Sequence, residues 1–165
     1  MGGKNEAQNI VKEVAEKVGM PYVVSRWIGG ALTNFPEIRK RVDMMMDLLS
    51  QKEKGELAKY TKKERILIDR KIEKLQKMFW GIKDMVNLPK ALFIVDPRYE
   101  ITALKEAQSL NIPVIALCGS DDNILGINYP IPANDDATKS IELFANLLSR
   151  VIKENKGLAK TQEHK

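Results

Sequence analysis

The stretch that decides the fold is Pro89-Lys-Ala-Leu-Phe-Ile-Val-Asp-Pro-Arg-Tyr-Glu-Ile-Thr-Ala-Leu-Lys-Glu-Ala-Gln-Ser-Leu-Asn-Ile-Pro-Val-Ile-Ala-Leu-Cys118. Ala91 to Val95 is a continuous apolar run between Pro89 and Asp96-Pro97, the pattern of a strand buried on both faces. Glu100 to Leu110 sets Ala103, Leu104, Ala107 and Leu110 on one helix face, and Pro113 to Cys118 is a second buried run. Strand, helix and strand in so short a span form a βαβ unit, which implies parallel pairing and a right-handed crossover.

Working outward, Asn5 to Val18 reads as a helix with Ile10, Val11, Val14, Ala15 and Val18 inward and Gly19 as its C-terminal stop. Tyr22-Val23-Val24 is a short strand candidate, and Ser25 to Phe35 is a loop around Gly29-Gly30. Beyond the βαβ unit, Tyr129-Pro-Ile-Pro132 suits only a short edge or end segment, because its prolines lack donors. Asn134-Asp135-Asp136 supplies N-cap candidates for a last helix, which should run to about Ile152 and leave a polar tail.

Between the first strand candidate and the βαβ unit lie two matched apolar stripes. Ile38, Val42, Met45 and Leu49 form one; Ile68, Ile72, Leu75, Phe79 and Ile82 form the other. Their alternating steps of three and four are those of a coiled-coil seam. Gly55 interrupts the pattern between them, and Thr61-Lys62-Lys63-Glu64 reads as a capping box. The expected fold is therefore α/β: a small open parallel sheet flanked by helices, flavodoxin/Rossmann-like, with an inserted antiparallel coiled-coil hairpin. Residues 1–35 and 86–153 make the α/β body, 36–85 the hairpin and 154–165 the polar tail.

Charge is unevenly placed. The chain has 27 Lys and Arg against 22 Asp and Glu, a net of +5. Residues 36–85 hold 14 of the basic and 9 of the acidic side chains, so the whole excess lies in the hairpin. An excess confined to one projecting element points to a polyanion such as RNA or DNA, although any single charge run also fits a solvated helix face. Arg39-Lys40-Arg41, Lys62-Lys63 and Arg70-Lys71 are the runs that carry it, and Arg39, Lys40, Arg41, Lys62 and Lys63 are the expected phosphate contacts. In the loop, Arg26 offers a phosphate-binding fork and Trp27 a flat surface; Trp27 equally suits a core anchor.

Signals for other chemistry are weak. There is no Gly-x-Gly-x-x-Gly or Walker lysine loop. Asp96 and Arg98 at a strand end would suit a phosphorylated ligand, but an aspartate there also simply caps a turn. The lone Cys118 excludes an internal disulfide and fits a reducing compartment; it ends an apolar run and reads as a buried thiol. His164, the single histidine, is penultimate. No run approaches the length of a membrane span, and the start lacks the apolar core of a signal peptide. Neither catalytic nor metal-ligating residues nor a cofactor are expected.

Several motifs together resemble one family. They are Gly3-Lys4, Arg26-Trp-Ile-Gly-Gly-Ala-Leu-Thr-Asn34, Thr61-Lys-Lys-Glu64, Gly81-Ile-Lys-Asp-Met85, Leu88 to Asp96, Lys105-Glu106-Ala107, Ile112-Pro-Val114 and Ile131-Pro-Ala-Asn-Asp-Asp-Ala137. Their order and spacing are similar to the bacterial-type small-subunit ribosomal protein S-two family, from Gly2 to about Ile152. The resemblance implies a ribosomal component, not an enzyme, that binds small-subunit rRNA, touches neighbouring ribosomal proteins and supports docking of S-one, the large mRNA-binding protein. It implies a cytoplasmic setting, or an organelle with bacterial-type ribosomes, with no membrane and no small-molecule substrate. It makes Arg26, Trp27, Gly29, Gly30, Thr33 and Asn34 an rRNA-facing or arm-base element. The chain lacks the family's N-terminal helix and at least one strand, so a sheet edge should be exposed. Gly119 and Ala133 replace the family's usual Asp and Gly.

Overall fold

The computed structural model describes residues 1–162, with side chains described through Asn155. Helix α1 is Asn5–Val18, α2 is Phe35–Glu53 and α3 is Lys62–Phe79. Strand β1 is Leu92–Val95, α4 is Ile101–Ser109, β2 is Val114–Cys118, β3 is Tyr129–Pro132 and α5 is Thr138–Gln162. Short 3₁₀ turns at Glu56–Lys59 and Trp80–Ile82 precede and follow α3.

The three strands form one parallel sheet in the order β1-β2-β3, with Leu92 opposite Val114 and Ile115 opposite Tyr129. Both faces are covered, which is why β1 and β2 read as unbroken apolar runs. Ile94, Val114, Ala116 and Cys118 face Ala103, Leu104 and Ala107 of α4, together with Trp27, Ala31 and Leu32. Val95 and Leu117 face the other way, onto Ala7 and Val11 of α1 and Ile141 of α5. Proline is tolerated in β3 because only one of its edges is paired.

Helices α2 and α3 share a separate apolar cluster built on Ile38, Val42, Met45, Leu75, Phe79 and Ile82. Lys52 Nζ on α2 lies 2.6 Å from Asp69 on α3. The N-terminus of α3 carries a complete capping box: Thr61 accepts from the Glu64 N–H, and the Glu64 carboxylate accepts from the Thr61 N–H at 2.9 Å. Gly55, at φ +72, reverses the chain between the two helices.

Three expectations are corrected. Tyr22 to Val24 is no sheet strand; it makes isolated bonds, Tyr22 N–H to Gly81 O and Gly2 N–H to Val23 O. The free edge of β1 is partly covered, since the Met1 nitrogen donates to Phe93 O at 2.7 Å and Val95 N–H donates to Met1 O at 3.0 Å. Finally, α5 does not stop near Ile152 but continues through Gln162. The segment past Ile152 is polar but composed mostly of good helix formers, and Arg150 pairs with Glu154 one turn on. Residues 163–165, with His164 and the end of the expected polar tail, lie outside the described residues.

Candidate functional site

The loop between α1 and α2 is organised by a carboxylate that comes from across the fold. Glu106, on α4, sends both oxygens into the Arg26–Asn34 turn. Its Oε1 accepts from Trp27 Nε1–H at 3.0 Å and Gly30 N–H at 2.7 Å; Oε2 accepts from Leu32 N–H at 2.9 Å and Thr33 N–H at 3.2 Å. The Thr33 hydroxyl approaches Oε2 at 3.4 Å. Burial alone would push the Glu106 carboxyl up, but bonds from Leu32, Trp27, Gly30 and Thr33 outweigh it and hold the group below the usual carboxylate range. Gly30 adopts φ +87, and a Cβ there would crowd Asn34 Cβ at 3.2 Å. The loop ends as Asn34, at the N-cap of α2, accepts from the Glu37 and Ile38 N–H groups through its carbonyl. The clamp thus sits at the root of the α2/α3 pair.

This geometry places the expected site residues in two groups. Trp27 is buried at 9 % exposure, and Trp27, Gly30 and Thr33 donate inward to Glu106. Arg26, Gly29, Thr33 and Asn34 are on the surface. On α2, Arg39 is turned onto protein: Nη1 donates to Lys83 O at 2.6 Å and Nη2 pairs with Asp43 at 2.8 Å. Lys40 pairs with Glu37 at 2.6 Å. Arg41, Lys62 and Lys63 are exposed and form no ion pair with the described residues. Glu106 is the member that reading residue types one by one passes over; its only signal was its place in the Lys105-Glu106-Ala107 motif.

The strand ends hold a second polar group. Lys4 Nζ lies 2.9 Å from Asp96 and 3.5 Å from Asp135, and it also pairs with Asp136. Burial lowers the Lys4 pKa, but these carboxylates together more than reverse that and raise it. Asp96 Oδ1 also accepts from Tyr99 N–H at 2.8 Å, the turn-capping role allowed for it. Asn134 Oδ1 accepts the Asp136 and Ala137 N–H groups, closing the turn that leads into α5 at Thr138. Asp96, Asp122 and Asp135 each bring one oxygen within 4.8 Å of the others, and Lys4 sits on two of the three. Arg98 is engaged by Asp121 at 2.5 Å. The cleft here, about 340 Å³, is lined by five aspartates against Lys4 and Arg98, the wrong balance for a phosphate. Burial pushes the Cys118 thiol up, so it is a poor nucleophile.

Fold and site together define an α/β protein with a carboxylate-clamped loop at the root of a basic helix pair. Residues 1–155 match the family model "Ribosomal protein S2", and the chain belongs to that family. It is 45% identical over 153 residues to "Small ribosomal subunit protein uS2" of Salinibacter ruber, covering 93% of this chain and 48% of that protein. It is 40% identical over 162 residues to the uS2 of Acinetobacter baylyi, covering 98% of this chain and 65% of that protein. The uS2 of Psychrobacter cryohalolentis is 41% identical over 162 residues, 98% of this chain and 61% of its own length. The chain spans about half to two thirds of the length of these relatives. The family is structural and not one of enzymes. Among the described residues no helix is long and apolar enough to cross a membrane.

Proposed function

We propose that this chain is a structural constituent of the small ribosomal subunit. It binds rRNA, contacts neighbouring ribosomal proteins and supports docking of the mRNA-binding protein S-one, in the cytoplasm or in an organelle with bacterial-type ribosomes. In this reading residues 36–85 are an inserted antiparallel coiled-coil arm, 1–35 and 86–153 the body that seats it, and 154–165 a polar tail. Arg26, Arg41, Lys62 and Lys63 meet phosphate directly. Trp27, Gly29, Gly30, Thr33 and Asn34 shape the arm base, and Arg39 and Lys40 flank it. The docking of S-one rests on the family resemblance.

The observation that carries the reading is that the whole net charge of +5 falls in residues 36–85, where Arg41, Lys62 and Lys63 are exposed and unpaired among the described residues. Cations on such an element neutralise phosphates and release counterions. A coiled-coil adaptor role has one observation in its favour, the exposed Met44, Met46, Ile66 and Leu67 on the same helices. Sedimentation of the tagged chain through sucrose gradients at low and high salt separates the readings. Comigration with the small subunit at moderate salt is the expected result. A peak that stays at the top, even when the segments present in longer relatives are supplied, would overturn it.

A further inference from the structure

The sheet ends differently at its two edges. Ala133 N–H bonds Cys118 O, so along β3 Tyr129 and Ile131 turn their backbone groups to β2, while Pro130 and Pro132 turn theirs outward. Within the strand that outer edge has no N–H to offer, which ends pairing there. The β1 edge is not closed in this way. The Leu92 and Asp96 N–H groups bond Pro113 O and Leu117 O on the β2 side, so Ala91, Phe93 and Val95 turn outward. Met1 takes the Phe93 carbonyl and the Val95 N–H, the bond pair of a parallel ladder with Met1 opposite Ile94. One step back along β1, the Phe93 N–H and the Ala91 carbonyl have no partner among the described residues.

These two groups border an apolar groove of about 480 Å³. One wall comes from α1 and α5, with Val11, Val14 and Leu148; the other comes from the loop before α2, with Trp27, Ala31 and Leu32. The ladder register says which side chains fit. Met1, Leu92 and Ile94 pack on the Trp27 side, and Phe93 packs on the α1 and α5 side. A residue seated opposite Leu92 would therefore meet Trp27 and Leu32, and one opposite Phe93 would meet Val14 and Leu148. Both faces of such a strand are apolar, as for any strand covered on both sides. An aliphatic small molecule would fill the walls but satisfy neither the Phe93 N–H nor the Ala91 carbonyl. A second copy has no spare extended segment among the described residues: Tyr22–Val24 is held by Gly81 and Gly2, and β1, β2 and β3 lie in the sheet.

We propose that the β1 edge is an acceptor site for one extended, uniformly apolar segment of another polypeptide, which lies parallel to β1, ends against Met1 and pairs with Ala91 and Phe93. Main-chain bonds supply attachment and the two walls select the side chains, as in strand addition to other sheet edges. The proposal is independent of the rRNA reading.

Titration of the isotopically labelled full chain with the peptide acetyl-Lys-Lys-Val-Ile-Val-Ile-amide, followed by NMR and amide exchange, tests it. Saturable binding is expected, with the Phe93 amide exchanging at least about tenfold more slowly and the β2 amides unchanged. Two altered peptides probe the two parts of the site. N-methylation of the penultimate Val removes the donor that would meet Ala91 O and should weaken binding by about tenfold or more. Acetyl-Lys-Lys-Val-Lys-Val-Lys-amide carries charge to the α1 and α5 wall and should not bind. Leu148→Glu places a charge in that wall and should weaken the apolar peptide by about tenfold or more, with a thermal melt to confirm folding; the altered peptides decide on the unaltered chain if it does not fold. No saturable binding up to about 1 mM overturns the proposal. Equal binding of the N-methylated peptide, with Phe93 exchange unchanged, shows a groove for apolar ligands generally and also overturns it. So does sedimentation equilibrium that finds a dimer which the peptide cannot dissociate, since a second copy then covers the edge.

Discussion

Glu106 shows how much one side chain can hold. Four backbone or indole N–H groups converge on its carboxylate, and they come from a turn whose other parts bury Trp27, Ala31 and Leu32 against the sheet. Glu106→Leu leaves those donors unpaired in a buried place, at about 1–3 kcal/mol for each that water cannot reach, and should unfold the loop or the chain. Glu106→Gln is the sharper test. Its amide keeps one acceptor and points donors at Leu32 and Thr33, so a loss of about 2–3 kcal/mol is expected in urea melts. The pH dependence has a definite sign. The folded-state pKa lies below the unfolded carboxylate value of about 4.3, so the contribution is full above that pH and is lost as pH falls through the folded value. Glu106→Gln should flatten that acid limb; an unchanged acid limb would show that other carboxylates set it. In the sequence, Trp27 and the Gly29-Gly30 pair signalled a built loop, but not its partner. Glu106 is separated from Trp27 by 79 positions, and a buried glutamate on a helix face has no local signature.

At the scale of elements, local rules were legible wherever the signal was local. The helix Asn5–Val18, its stop at Gly19 with φ +61, the Thr61 capping box and the βαβ unit all follow from spacing and capping chemistry. Segments decided by distant partners were not legible. The Tyr22–Val24 run has strand composition but only isolated bonds to Gly81 and Gly2. The end of α5 is the exception to the local rule, since the helix past Ile152 continues by propensity, a local signal that its polar composition concealed. Thr61→Ala tests the local kind. It removes the hydroxyl that accepts from the Glu64 N–H while keeping the residue-61 N–H that donates to Glu64, and about 1 kcal/mol should be lost on this exposed helix end. Hydrogen exchange should show the loss in the first turn of α3 and leave the sheet amides untouched. Phe79→Ala makes the complementary test. Phe79 is 1 % exposed inside the cluster shared by α2 and α3, so about 3–5 kcal/mol is expected, and β1 should remain protected if the helix pair is a separable unit.

Across the whole molecule, Lys4 ties together parts that are far apart in sequence. Asp96 follows β1, while Asp135 and Asp136 follow β3, and Lys4 precedes α1; its one ammonium therefore closes the carboxyl-terminal end of the sheet. Asp122, after β2, brings an oxygen into the same group, and burial holds its carboxyl above the usual range. Without the ammonium, Asp96 and Asp135 would repel each other at the positions the fold assigns them, since removing one partner of a buried pair leaves the other uncompensated. Lys4→Met keeps the length of the side chain and removes the charge, so on the order of 3 kcal/mol should be lost at pH 7. The wild-type contribution has the opposite titration to that of Glu106. Because the folded pKa of Lys4 is raised, its stabilisation is fully present below the unfolded value of about 10.4 and is lost only as pH rises through the folded one. In the Lys4→Met variant the Asp122 carboxyl, already held above the usual range by burial and by the charges of Asp96 and Asp135, should take up a proton more readily than in the unfolded chain. Its deficit against wild type should therefore shrink between pH 7 and pH 5. Urea melts of the two proteins at both pH values measure this directly, and a deficit that stays constant would show that Lys4 acts through its packing, not through its charge.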